Sequence, residues 1–431
     1  MNNKNVYLAS KPRYEILDGL RGVAAVLVVA YHLFETYYGG KPDQPINHGY
    51  LAVDFFFVLS GFVIGYAYDD RWKKSQLLTS SPKGEEGCFT LWSFFKRRLI
   101  RLHPMVIFGT FFGALMFYFG SGEEEFPLIN ETSWWMVLLV MFWCFTLIPL
   151  PSTMDIRGWA ETNPLNGPAW SLQWEYIANI LYALFIRKFS KVVLGICVAF
   201  FAILTIILCL NIDLLGFLEE RSWASYTVVG GWSTTPGQLQ VGLTRLLYPF
   251  FCGLLVSRLM NSGSKSLTSS LSPLTSKHGF WWCSLAIVVL FCMPWMGLGT
   301  EGYARWTNGL YEAFCILVCF PLIVAMGAGS SVKGGKSAAI NKFLGEISYP
   351  LYITHYPLIY MQMSWAESDK DAPLGMHIFV AVSIIVLAIL VAYGAYRLYD
   401  LPVREWLKKK WFRPAAQNQE LSLNRNPSAI R

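Results

Sequence analysis

The chain has 431 residues, of which 54% are hydrophobic and only 15% charged, with 17 Trp, 22 Tyr and 30 Phe; a composition this apolar excludes an ordinary soluble protein. The net charge of +7 does not imply nucleic acid, because the basic residues stand in short clusters beside apolar runs, where they act as topology signals. The nine cysteines lie mostly inside apolar runs and form no CxxC or Cys/His zinc spacing, so they are expected as buried free thiols, with no disulfide framework and no metal.

A helix that crosses hydrocarbon needs roughly 20 apolar residues. Eleven runs come near that length: 16–36, 51–68, 99–119, 133–150, 170–186, 191–211, 241–259, 279–298, 308–327, 343–363 and 375–399. The first is not a cleavable signal peptide, since Arg21 and His32 interrupt it and no small-residue cleavage site follows. The expectation is an all-α, polytopic integral-membrane helical bundle over residues 1–410, followed by a polar, disordered tail over 411–431.

Lys and Arg collect before the first run and in the segments 71–98, 187–191, 258–277, 333–342 and 404–413, which should face the cytoplasm. GEEEF at 122–126 and AESDKD at 366–371 are net acidic and should face the other side. Eleven crossings would separate the two basic termini, whereas ten keep both in the cytoplasm. One run, 133–150 or 170–186, is therefore expected to be re-entrant or tilted against protein.

Polar groups interrupt these runs at four places. In LDGLRGVAAVLVVAYH, residues 17–32, Arg21 and His32 lie on one helical face with a rise of about 16 Å between them. Asp18 and Glu35 fall close to the same stripe. Arg21 alone reads as a residue snorkelling to the headgroups. His32 is about half a bilayer deeper, where an ionisable group is costly and usually faces a cavity or substrate path.

KRRLIRLHP at 96–104 sets Arg98 and Arg101 one turn apart at the cytoplasmic boundary, where two guanidiniums could hold phosphates; Lys96 and Arg97 serve equally well as positive-inside anchors. NGPAWSLQWEY at 166–176 places Ser171 and Glu175 on one face after a Gly-Pro turn, either for chemistry or for a cap and an interhelical hydrogen bond. LGEISYPLYITHYPLIY at 344–360 aligns Ser348, Tyr352 and His355, and Pro350 and Pro357 free backbone carbonyls there, which suggests a cavity wall. His48, His103, His278 and His377 receive no chemical role.

Taken together, Arg21 and His32, the RLIR of 98–101, VDFFFVLSGFVI at 53–64, GPAWSLQWEY at 167–176 and ISYPLYITHYP at 347–357 resemble the acyltransferase-3 family of integral-membrane O-acyltransferases. The resemblance runs from about residue 14 to 405. It implies transfer of an acyl group, most often acetyl from acetyl-CoA as donor, to a hydroxyl of a glycan, polysaccharide or lipid-linked saccharide, in a bacterial inner membrane. By the same resemblance His32 matches the family's essential histidine and Arg21 its paired arginine, Arg98 and Arg101 match the Arg-x-x-Arg pair, and Ser171 with Glu175 match the Ser-x-x-x-Glu motif. On these positions the expected roles are His32 and Glu175 in catalysis, Arg21, Arg98 and Arg101 on the CoA phosphates, and Asp18, Ser171, Ser348, Tyr352 and His355 in the substrate cavity. Some members add an extracytoplasmic SGNH-type domain; the chain is expected to lack one and to transfer directly within the membrane.

The expected mechanism has neutral His32 as general base on the acceptor hydroxyl, with a covalent acyl-histidine as the alternative. Glu175 is expected to orient His32 or bind the sugar, and Ser348, Tyr352 and His355 to line the acceptor path or donate to the oxyanion. A macrolide or lipid acceptor, or a transporter built on the same polar stripe, remains open at this stage.

Overall fold

Apolar runs without water around them satisfy their backbones internally, so each of the eleven folds around a helix. The computed structural model describes residues 14–38, 44–79, 89–122, 125–261, 278–296, 305–331 and 334–412; the expected tail from 413 onward, and Lys4, Lys11 and Arg13, lie outside them. In chain order the helices are α1 Glu15–Tyr38, α2 Ala52–Thr79, α3 Leu91–Met116, α4 Trp134–Cys144, α5 Trp170–Leu184, α6 Lys191–Cys209 and α7 Pro236–Met260. They continue with α8 Gly279–Cys292, α9 Trp306–Gly329, α10 Gly335–Thr354, α11 Tyr356–Ser368 and α12 Leu374–Trp411. No strand occurs among the described residues beyond one isolated bridge between Gly122 and Phe126.

Seven helices in the described residues are long and apolar enough to cross a membrane. Of the two runs expected to hold a non-crossing element, α4 has 11 residues and α5 has 15. At about 1.5 Å per residue, α4 reaches only about half of a hydrocarbon core. α8 is also shorter than its run, because Met293 is forced into extended backbone ahead of Pro294.

Lipid-facing stripes follow helical spacing. Val192, Ile196, Phe200 and Ile203 are exposed along α6, and Ile378, Val382, Val386 and Leu390 along α12. The inward faces pack through small residues, which let backbones approach where lipid gives no hydrophobic drive. On α1, a Cβ at Gly22 would stand 2.3 Å from the Leu344 carbonyl oxygen of α10, so this crossing needs glycine. α2 and α7 interlock in the same way, with Gly61 against the Phe250 carbonyl and Gly253 against that of Val58.

Prolines free helical carbonyls, and at three of them a side chain of another element supplies the missing donor. Pro294 leaves the Leu290 carbonyl without its helical donor, and Tyr311 donates its hydroxyl there at 2.7 Å. Pro321 leaves that of Leu317, which accepts from Tyr248 at 2.8 Å. Pro357 leaves that of Ile353, which accepts from the Asn166 amide at 2.8 Å. The last of these locks the break between α10 and α11, at His355, to the loop that leads into α5. The eight cysteines among the described residues are free thiols.

Candidate active site

α1 carries His32 to the wall of a cavity of about 1280 Å³, bordered also by Glu35, Tyr352, Tyr356, Arg245 and Glu161. At the cavity mouth stand the exposed residues Glu125, Trp223, Arg305 and Lys370 of the connecting segments, together with half-buried Glu367 at the end of α11. His32 Nδ1 lies 2.5 Å from Glu35 Oε2, one helical turn on. The contact fixes the ring and holds a carboxylate where an imidazolium would form.

Two aromatic groups from the α10–α11 break complete the setting. His355 stacks on His32 with ring centres 5.5 Å apart, and Tyr356 meets His32 edge-on at 4.7 Å. His355 Nδ1 lies 3.0 Å from the Leu351 carbonyl oxygen, to which it donates. A neutral ring then carries no proton on Nε2, and that atom is buried without a partner.

Arg245 and Asp54 form a fully buried ion pair at 2.7 Å on the cavity floor. Arg245 also donates to the carbonyls of Gly230 and Tyr50, so four of its five N–H groups are engaged and its charge is paired with Asp54. A second buried network braces the outer loops. Tyr50 and Asn308 donate to Glu312 Oε1 at 2.5 and 2.7 Å, and the Val228 amide donates to Oε2 at 2.7 Å. His48 joins this brace by bridging Asn308 and the Met293 carbonyl.

Toward the basic end, Arg98 Nη2 donates to Glu175 Oε1 at 2.7 Å, and Ser60 donates to the same oxygen at 3.1 Å. One turn before Glu175, the hydroxyls of Ser171 and Tyr352 share a hydrogen bond at 2.8 Å, and the Pro168 carbonyl, within 3.1 and 3.2 Å of them, accepts from whichever of the two does not donate to the other. Arg21 pairs with Asp18 at 2.8 Å on α1. Polar groups thus form a ladder from Arg98 through Glu175, Ser171, Tyr352 and His355 to His32 and Glu35.

A family profile described as an acyltransferase domain matches residues 14–397. The chain belongs to this acyltransferase family. It is 33% identical over 180 residues to "Protein 2 in picA locus" of Rhizobium radiobacter, covering 40% of this chain and 81% of that protein. It is 23% identical over 402 residues to the peptidoglycan O-acetyltransferase OatA of Listeria monocytogenes, covering 90% and 55% of the two chains. The O-acetyltransferase OatA of Staphylococcus aureus is 25% identical over 400 residues, with 91% and 58% covered. The chain spans about half the length of these O-acetyltransferases. No solved structure matches it.

His32 and Tyr352 border the cavity, whereas Ser171 and His355 stand behind its lining; Arg21, Arg98 and Arg101, expected at the cytoplasmic boundary and not in the cavity, lie outside it. Glu175 is not the orienting partner of His32. Glu35, one turn away on the same helix, holds that position, and Glu175 is engaged by Arg98 across the α3–α5 contact. The phosphate-binding reading of Arg98 therefore changes, since Glu175 already neutralises its charge. Asp18 serves Arg21 and not the cavity. Ser348 bonds back to the Gly345 carbonyl at 3.0 Å and lies off the cavity wall. His355 reaches His32 but, with its only proton directed to the Leu351 carbonyl, cannot donate to an oxyanion from Nε2.

Sequence reasoning missed Asp54, Arg245, Glu161 and Glu312. The signal existed for Asp54 and Arg245, each a lone charge in an apolar run and so in need of a partner. Pairing them across 191 residues required the fold.

Proposed function

We propose that the chain is an integral-membrane O-acetyltransferase that moves an acetyl group from acetyl-CoA to a hydroxyl of a glycan, polysaccharide or lipid-linked saccharide. The observation that carries this reading is the His32–Glu35 pair, 2.5 Å apart, on the wall of a cavity large enough for a saccharide. The names of the relatives from Listeria and Staphylococcus support acetyl as the group and a glycan as the acceptor.

Glu35 accepts the Nδ1 proton of His32 and leaves Nε2 free to take the proton of the acceptor hydroxyl. The hydroxyl oxygen attacks the thioester carbonyl, a C–O bond forms, the C–S bond breaks, and CoA leaves as a thiolate that recovers the proton from His32. Glu35 stabilises the imidazolium in between. The CoA phosphates stay at the basic end with Arg101 and its neighbours Lys96 and Arg97, Arg98 being held by Glu175, because carrying phosphates into hydrocarbon is costly. Only the pantetheine arm needs to cover the rise of about 16 Å between Arg21 and His32. This places both termini in the cytoplasm, with the loops of the cavity mouth on the outer side of a bacterial inner membrane.

The test is purified protein in nanodiscs with radiolabelled acetyl-CoA, scored for thioester cleavage and for label on a saccharide. His32→Ala should abolish both while insertion and expression persist, and appreciable remaining turnover removes His32 from the mechanism. A wild-type protein that consumes no acetyl-CoA would instead leave a transport reading.

A further inference from the structure

The loop that leads into α5 brings a second carboxylate to the cavity, and it does so rigidly. Asp155 accepts hydrogen bonds from the amides of Arg157, Gly158 and Ala160 at 2.9, 3.1 and 2.8 Å. This bend holds Gly158 at φ +97° and Ala160 at φ +51°. Arg157 is buried, donates from Nε to the Pro164 carbonyl at 2.9 Å, and lies 3.5 Å from the centre of the Tyr360 ring. The Thr162 amide donates to the Trp232 carbonyl at 2.8 Å. The segment carrying Glu161 is therefore tied down on both sides.

Glu161 is 7% exposed, and that exposure faces the cavity. Tyr360 donates to its Oε2 at 2.7 Å, whereas Oε1 has no donor among the described residues. Oε1 lies over Gly167, where a Cβ would come within 2.6 Å of it. Tyr356, edge-on to His32, is within electrostatic reach of both Glu35 and Glu161. Oε1 is therefore the acceptor of this mostly buried carboxyl that opens on the cavity, placed to take a hydrogen bond from a ligand hydroxyl.

The rest of the wall agrees on the ligand's chemistry. Arg245 is spent on Asp54, so the floor offers no free cation to an anionic ligand. Glu125 and Glu367 at the mouth are offset by Arg305 and Lys370, but Glu35 and Glu161 leave the wall with two further carboxyl groups and, among the described residues, no free cation opposite them, and Trp159, Trp170 and Trp232 supply faces on which a sugar ring can stack.

We infer that Glu161 anchors the acceptor: its Oε1 accepts a hydrogen bond from a hydroxyl of an uncharged saccharide, next to the hydroxyl that His32 deprotonates. The role of His32 in this statement rests on the acyl-transfer reading; the saccharide contact does not. The experiment is a tryptophan-fluorescence titration of the nanodisc protein with chitotetraose, and with tetragalacturonate as a polyanion of similar length, in the absence of acetyl-CoA. Wild type should bind chitotetraose more tightly than tetragalacturonate. Glu161→Ala should raise the chitotetraose Kd by about tenfold or more, and by a larger factor than it raises the acetyl-CoA KM. Glu161→Gln, which keeps the volume and the Tyr360 contact, should weaken binding in the same direction and serves where the alanine variant does not fold. An unchanged Kd in both variants, a wild type that binds neither sugar, or equal losses toward sugar and acetyl-CoA would each overturn the anchoring. Glu161-dependent binding by a protein that consumes no acetyl-CoA would uphold it and remove acyl transfer.

Discussion

Glu35 stands one turn beyond His32 on α1, and its Oε2 meets the ring's Nδ1 at 2.5 Å on the wall of a cavity that both residues border. A base that must become cationic in the transition state gains from a fixed anion behind it. Glu35→Gln keeps the shape and removes that charge. Acetyl transfer should then fall in kcat by on the order of 100-fold, with a much smaller change in the acetyl-CoA KM. Steady-state kinetics in nanodiscs decide this, and a loss of only about twofold would mean that Glu35 merely packs against the ring.

Arg98 and Glu175 come from α3 and α5 and are mostly buried, with side-chain exposures of 10% and 19%. Removing one partner of such a pair strands the other, at a cost of roughly 3 kcal/mol, whereas removing both relieves the stranded charge. Arg98→Met and Glu175→Leu should each lower the melting temperature in detergent, and the double variant should recover part of that loss. Strictly additive losses would show that the pair contributes nothing as a pair.

How much of this was legible in the sequence depended on the range of the interaction. Helices, the lipid-facing stripes and the His32–Glu35 and Asp18–Arg21 contacts follow from spacings of three or four residues, which a helix converts directly into proximity. The motif around Ser171 and Glu175 was also visible, but its partners were not, because Tyr352 lies 181 residues from Ser171 and Glu175 is 77 residues beyond Arg98. Glu161 gave no periodic signal at all. It lies in an irregular loop whose path is set by Asp155, Arg157 and the carbonyl of Trp232, and only that path brings a loop glutamate to the cavity that His32 borders.

The break at His355 gives a sharper test of long-range bonding. Pro357 has no amide hydrogen for the Ile353 carbonyl, and Asn166 supplies one at 2.8 Å. Asn166→Ala should leave that buried carbonyl without a donor and cost about 1–3 kcal/mol. Pro357→Ala in the same chain restores a backbone donor that a continuous helix could use. The double variant should therefore unfold at a higher temperature than Asn166→Ala alone, yet lose activity, because Tyr352, His355 and Tyr356 are aimed by the break. A double variant no more stable than Asn166→Ala would separate the carbonyl from the proline's effect.

Glu161 also predicts how stability responds to pH. Burial raises its carboxyl from the ordinary 4.5 to about 7, against the opposing pull of the Tyr360 hydroxyl and the Arg157 guanidinium. The folded chain thus holds this proton more tightly than the unfolded chain. The resulting stability is complete below about pH 4.5 and is lost as pH rises through 7. A gap of this size corresponds to on the order of 3 kcal/mol. Glu161→Gln, which cannot ionise, should match wild type near pH 4.5 and exceed it in melting temperature at pH 8. Asp155, Arg157, Tyr360 and Glu35 are present in both proteins, so only the part of their titration that depends on the Glu161 charge enters the difference between the two curves. A difference that stays flat from pH 4.5 to 8 would show that Glu161 is ionised throughout, and that the Arg157 charge behind it outweighs burial.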